Sequence, residues 1–90
     1  MAWFAYIIEC TDGSLYTGIA VDVAKRYAQH VAGKGARYTR SHPPARLLGI
    51  FQQPDRSSAL KAEHTIRQLS PDAKRTLCAQ SALAALPPVA

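Results

Sequence analysis

The spacing of apolar positions changes along the chain, and each change marks an element. Residues 3–10 (Trp-Phe-Ala-Tyr-Ile-Ile-Glu-Cys) are rich in aromatic and β-branched types and predict a strand. Thr11-Asp12-Gly13-Ser14 follows, and Asp-Gly is a strong hairpin signal, so residues 15–20 predict the return strand. Asp22 predicts the N-cap of a helix running to about Val31. Its apolar set is Val23, Ala24, Tyr27, Ala28 and Val31, on one face; Arg26 and His30, four apart, share a different face. Gly33 to Arg40 predicts a glycine-punctuated basic loop, closed by His42-Pro43-Pro44, whose prolines exclude a helix there. Residues 46–53 predict a third strand, ended by Pro54.

Asp55-Arg56-Ser57-Ser58 opens a second helix to about Leu69, with an apolar stripe of Ala59, Ala62, Ile66 and Leu69. Ser70-Pro71, an N-cap followed by proline at the first helical position, opens a third helix to about Ser81. Residues 1–80 then form one domain, and residues 81–90 an Ala/Leu/Pro tail expected to fray. The order ββαβαα implies an α/β protein of the α+β type, a small three-stranded antiparallel sheet flanked by helices.

Composition narrows the class. A chain of 90 residues hides roughly 60–65% of its unfolded surface on folding, so the core is modest. Apolar residues at 48% and charged residues at 19% exclude a disordered tail. Net charge is +5, and its distribution tells more than its total. No acidic residue lies between Asp22 and Asp55, while Lys25, Arg26, Lys34, Arg37, Arg40 and Arg46 all do. Such a one-sign block attracts phosphates or forms a solvated basic loop. Cys10 and Cys78 have no metal-ligand spacing; reduced thiols in the cytoplasm are the expectation, with a single disulfide as the alternative. The N-terminus has no basic flank and meets Glu9 at once, so it reads as a strand rather than a signal peptide. Nothing approaches the ~20 apolar residues that span a membrane.

One placement breaks the pattern. Glu63 lies four after Ala59 and three before Ile66, so it projects from the apolar stripe of its helix. Carboxylates are rarely buried without a partner. A salt bridge to Arg67, four residues on, is one explanation. A divalent-metal site is the other, because Mg²⁺ keeps several waters and is held through one or two carboxylates plus substrate phosphate. Tyr6 and Tyr16 sit on the two arms of the hairpin. A tyrosine is a poor base at neutral pH unless a neighbouring cation favours the phenolate. Arg26, one helix away, is a candidate for that or for binding phosphate, and taken alone two tyrosines on strands are more often core or edge residues. Tyr27 belongs to the apolar face and reads as core. His64 neighbours Glu63 in sequence but points elsewhere, towards the surface, and His42 is a candidate phosphate contact.

Phe4-Ala5-Tyr6-Ile7-Ile8, Asp12 to Ile19, Asp22-Val23 through Arg26 and His30, Gly33 to Arg40, and Ser58-Ala59-Leu60 through Glu63 and Ile66 occur in that order. Together they resemble the GIY-YIG nuclease superfamily, most nearly its short stand-alone bacterial members, over roughly residues 3–77. The resemblance implies that Tyr6 and Tyr16 are the paired motif tyrosines, one of them the base that activates water. It implies that Arg26 stabilises phosphoryl charge and that His30 assists proton transfer or contacts phosphate. Glu63 would be the sole protein ligand of one Mg²⁺ or Mn²⁺, weakly held without substrate. Gly18 would let the hairpin approach the helix closely. The motif triplets here are Phe4-Ala5-Tyr6 and Tyr16-Thr17-Gly18 rather than Gly-Ile-Tyr and Tyr-Ile-Gly. The asparagine many members carry late in the domain has no counterpart, since the chain contains none.

The leading expectation is a metal-dependent or structure-selective DNA endonuclease, with RNA left open and a protein partner as a source of specificity. The second is a nucleic-acid-binding module of the same fold, in which Lys34, Arg37, Tyr38 and Arg40 contact the nucleic acid without cleavage. A third is a protein-interaction adaptor using the Ala/Leu-rich C-terminus.

Overall fold

The computed structural model describes residues 2–80. Strand β1 (Trp3–Cys10) pairs antiparallel with β2 (Leu15–Ala20) across the hairpin. After helices α1 (Val23–Val31) and α2 (Arg37–Ser41), strand β3 (Pro44–Gln53) returns to the other edge of β1. The sheet order is therefore β2-β1-β3, with the first strand in the middle. Helices α3 (Arg56–Arg67) and α4 (Pro71–Gln80) complete the described chain.

The central position of β1 explains its unbroken apolar run. Ala5, Tyr6, Ile7 and Ile8 are all buried because both faces of the sheet are covered. On one face Tyr6, Ile8, Cys10, Val23, Tyr27, Leu47 and Ile50 form a core under α1. On the other, Ala5, Ile7, Ile66 and Cys78 pack with Ile19, Leu48 and Ala62 under α3 and α4.

The predicted caps form. Asp22 accepts a hydrogen bond from the Lys25 amide (3.0 Å) and Asp55 one from the Ser58 amide (2.7 Å). The Ser70 hydroxyl oxygen accepts from the Ala73 amide (3.1 Å), which places Pro71 at the first helical position. The second helix ends at Arg67 rather than Leu69, and the third reaches Gln80. The tail of residues 81–90 lies outside the described residues.

Three expectations are corrected. First, a short helix replaces part of the basic loop: Arg37–Ser41 holds no glycine or proline, and the breakers at Gly33, Gly35, Pro43 and Pro44 flank it. The order is thus ββααβαα. Second, the buried stripe of α1 is Val23, Tyr27 and His30, with Val31, Ala24 and Ala28 exposed. Positions i, i+4 and i+7 face the sheet together, so the histidine takes the interior place predicted for an aliphatic residue. Third, β3 begins at Pro44, where an edge strand tolerates a missing amide proton.

Cys10 and Cys78 are buried, unpaired with each other, and belong to the cores on opposite faces of the sheet. A disulfide between them is sterically excluded, and burial raises both thiols above their ordinary pKa. We therefore predict that a thiol-specific reagent such as Ellman's labels neither cysteine in the native protein and both in denaturant. Rapid labelling of the native chain would show that one face of the core is open.

Candidate active site

The register of the hairpin builds the site. Ile8 lies opposite Tyr16 and Tyr6 opposite Gly18, so both tyrosines point to the α1 side of the sheet. Their ring centroids are 6.5 Å apart. Tyr6 is only 1% exposed, and its ring lies across Gly18. A Cβ at Gly18 would stand 2.5 Å from the Tyr6 oxygen. Glycine there makes room for the phenol, rather than for approach of the helix as expected from sequence.

The Tyr6 oxygen is hydrogen-bonded to Nε2 of His30 at 2.9 Å, inside the protein. His30 is wholly buried. Its other ring nitrogen, Nδ1, lies 2.6 Å from the Thr39 hydroxyl, which reaches the Ala36 carbonyl at 2.9 Å. The chain between α1 and α2 passes over this ring so closely that a Cβ at Gly35 would collide with Nδ1. Tyr16 stands beside His30, with centroids 5.2 Å apart.

Arg26 precedes His30 by one helical turn and donates to the Gln29 side-chain oxygen (3.0 Å). Glu63, on α3, is 18% exposed at its side chain and pairs with Arg67 at 3.4 Å. Arg67 also donates to the Thr17 carbonyl (3.3 Å), which anchors it to β2 beside the tyrosines. Burial pushes the Tyr6 phenol up to about 12, helped by Tyr16, while the Arg26 guanidinium pulls it down and Glu63 raises it slightly. Burial likewise lowers His30 to about 4, with Arg26 adding to the effect. Both groups are therefore neutral at neutral pH.

The structure thus brings Tyr6, Tyr16 and His30 together, with Arg26 acting on both the Tyr6 phenol and His30, while Glu63 on α3 touches Arg67 and reaches the phenol only through its charge. The basic residues are arranged differently. Lys34, Arg37 and Arg40 are exposed on the α1–α2 connection and on α2, and among the described residues none forms an ion pair. Tyr38 does not project with them: it stacks between Tyr16 (5.9 Å) and His42 (4.0 Å). His42 donates from Nδ1 to the Tyr38 carbonyl at 3.0 Å, so it supports the aromatic stack. His64 is exposed and contacts Gln68, as its place on the helix implied.

Sequence reading missed Thr39 and Gly35. The signal available was five consecutive residues free of glycine and proline, Arg37 to Ser41, which would have placed Thr39 three residues after Ala36 on one helical turn.

The site thus lies on a small antiparallel sheet that carries two tyrosines against a helical histidine and arginine. The chain belongs to the GIY-YIG family: the sequence model of the GIY-YIG catalytic domain matches residues 2–76. A UPF0213 protein of Cupriavidus necator is 54% identical over 79 residues, covering 88% of this chain and 86% of that protein. The UPF0213 protein YhbQ of Escherichia coli is 45% identical over 80 residues, covering 89% and 80%. The solution NMR structure of a UPF0213 protein from Bacillus halodurans matches with a TM-score of 0.54 at 40% identity, over 88% of this chain and 84% of that one. Among the described residues no helix is long and apolar enough to cross a membrane.

The buried imidazole has a consequence for stability. Unfolded, His30 takes up a proton below its ordinary value near 6.5; folded, it does so only near 4. Between those values the unfolded state holds more protons, so stability falls as pH drops through that window, by roughly 3 kcal/mol in total. Denaturant titrations at intervals from pH 7 to 4 should show this loss, and His30→Gln should flatten it. An equal slope in the variant would assign the loss to other groups.

Proposed function

We propose that this protein is a divalent-metal-dependent endonuclease that hydrolyses phosphodiester bonds in DNA. The observation that carries this reading is the buried hydrogen bond from Tyr6 to His30, with Arg26 and Glu63 acting on the same phenol. Nothing in core packing requires five polar or ionisable groups to converge there, and buried polar groups are costly unless used or satisfied.

Tyr6 is the base in this reading. Its phenol is protonated at neutral pH, so it gains a proton from water only as it hands its own to His30. The water oxygen forms a bond to phosphorus, the opposite P–O bond breaks with its electron pair, and the leaving oxygen takes a proton from solvent. Arg26 faces the extra negative charge that develops on the phosphoryl group. Tyr16, half-buried beside His30, walls the site and offers its hydroxyl to phosphate.

Glu63 suits a metal of one kind. Among the described residues no group of three or more His, Cys, Asp or Glu side chains is placed to hold an ion. A single partly exposed carboxylate therefore fits one hydrated Mg²⁺ or Mn²⁺ and does not fit zinc. Such an ion would supply Lewis acidity towards the phosphoryl oxygens. Arg67 already sits on that carboxylate, which is consistent with weak metal binding until substrate phosphate adds its oxygens.

Lys34, Arg37 and Arg40 form the phosphate-contacting surface, next to the Tyr16–Tyr38–His42 stack. These contacts position the nucleic acid without reading bases, and one small domain offers little surface for more. Specificity then comes from DNA structure or from a protein partner. Buried, unpaired cysteines suit the reducing conditions of the cytoplasm. The exposed basic surface alone would support a binding module without cleavage, which is the second reading.

Labelled single-stranded, duplex and branched DNA should be cut by the wild type with Mg²⁺ or Mn²⁺, and Glu63→Gln should be slower by about 10²–10³-fold. Each of Lys34, Arg37 and Arg40 changed to alanine should reduce the slope of log affinity against log salt by about 0.9. Salt-sensitive binding without cleavage by either protein would favour the binding module. Calorimetry should detect only weak Mg²⁺ binding to the DNA-free protein, and a tight site would contradict the single-carboxylate reading.

A further inference from the structure

We propose that Thr39 is a positioning residue that fixes His30 in its Nδ1–H tautomer and so leaves Nε2 free to take the Tyr6 proton. The inference rests on the nuclease reading for its catalytic consequence, but the tautomer can be observed without any activity.

The hydrogen-bond inventory around the ring decides between two arrangements. In the first, the Thr39 hydroxyl donates to the Ala36 carbonyl (2.9 Å) and accepts from Nδ1–H (2.6 Å). Nε2 then carries a lone pair and accepts from the Tyr6 hydroxyl (2.9 Å). The three short contacts are all used; the cost is the long approach of the Ala36 amide to Nδ1 (3.4 Å), which this tautomer gives up. In the second, Nδ1 is the acceptor, Nε2–H donates to the Tyr6 oxygen, and Thr39 turns its proton towards Nδ1. The Ala36 amide, at 3.4 Å, competes for the same single lone pair. The Ala36 carbonyl loses Thr39 and keeps only the Arg40 amide (3.3 Å), and the Tyr6 proton loses its acceptor. Tyr6 is 1% exposed, so this rearrangement strands its hydroxyl proton in the interior, a larger loss than one 3.4 Å amide contact. The first arrangement is the stable one.

Its geometry is imposed by the fold. The hydroxyl sits on α2, a five-residue helix, and Gly35 removes the side chain that would hold the chain away from the ring. The groups facing the imidazole are Tyr6 from β1, Tyr16 from β2 and Arg26 on its own helix. Tyr6 bonds the other ring nitrogen and Arg26 has no acceptor, so the acceptor bonded to Nδ1 is Thr39. The result is a directed chain: Tyr6 O–H to Nε2, Nδ1–H to Thr39, Thr39 O–H to Ala36. As Tyr6 receives a proton from water, its own passes to Nε2, and the Thr39 oxygen stays bonded to the Nδ1–H of the imidazolium formed. With the opposite tautomer Nε2 would already hold a proton, and the transfer could not occur.

The test is long-range ¹H–¹⁵N NMR of the uniformly ¹⁵N-labelled full chain at neutral pH, which distinguishes the two tautomers of each histidine. Wild type and Thr39→Ser should show His30 protonated at Nδ1. Thr39→Val keeps the shape but removes the hydroxyl; the Ala36 amide should then capture Nδ1, and His30 should shift towards the Nε2–H form. Cleavage by Thr39→Val should fall on the order of tenfold to a hundredfold in kcat, as for other orienting partners, with Thr39→Ser close to wild type. An Nε2–H tautomer in the wild type, or an unchanged Nδ1–H tautomer in Thr39→Val, overturns the proposal. If Thr39→Val does not fold, the wild-type tautomer and the Thr39→Ser rate still decide it. If no variant cleaves DNA at all, the nuclease reading fails while the tautomer result still stands or falls by itself.

Discussion

A phenol on the central strand of a small sheet has to find a partner for its oxygen inside the protein, and much of this structure answers that need. Tyr6 is only 1% exposed on β1, because strands flank it on both edges and helices cover both faces. Its partner is His30, and burying an imidazole beside a phenol requires that the second ring nitrogen be satisfied as well. That requirement fixes Thr39, hence α2, hence the close passage at Gly35. It also fixes Gly18, since any side chain there would occupy the place of the Tyr6 oxygen. Two glycines, a short helix and a threonine are thus consequences of one hydrogen bond.

The same constraint separates the polar machinery from the scaffold that supports it. The far face of the sheet is apolar and packs α3 and α4 through Ala5, Ile7, Ile66 and Cys78. Glu9 ties the hairpin to this scaffold by pairing with Arg46 (2.7 Å) and Arg75, and Arg75 also donates to the Gly13 carbonyl (3.1 Å). These cations hold the Glu9 carboxyl below its usual range. From the scaffold side Glu63 reaches the electrostatic surroundings of Tyr6, and Arg67 braces it against β2. A carboxylate that looked misplaced on an apolar stripe is in fact the link between the two faces. The ion pair with Arg67, one of the two explanations open from sequence, forms, and it leaves the proposed metal role compatible with it, since both partners carry positive charge.

Local signals were legible because they depend on near neighbours. The Asp12-Gly13 hairpin, the caps at Asp22, Asp55 and Ser70, and the helices between them need only a few residues of context, and they form where expected. The candidate residues were legible too, through their order along the chain. What the sequence concealed were non-local facts. That β1 is central depends on β3 pairing with it across an intervening pair of helices. The burial of His30 ran against the polarity of its side chain, because tertiary partners outweighed the pattern. The helix at Arg37–Ser41 was hidden by its glycine and proline borders, and with it the role of Thr39. Tyr38 looked like part of a basic binding strip, yet Tyr16 and His42 hold it in a stack.

The central claim is that Tyr6 and His30 act as one unit in phosphodiester cleavage. A double-mutant cycle on the cleavage rate tests it most directly, with Tyr6→Phe, His30→Gln and the two combined. If the pair is one proton-transfer unit, each single change should lower kcat strongly, and the double variant should be no slower than the worse single one. Losses that multiply in the double variant, or full activity in either single one, would contradict the account.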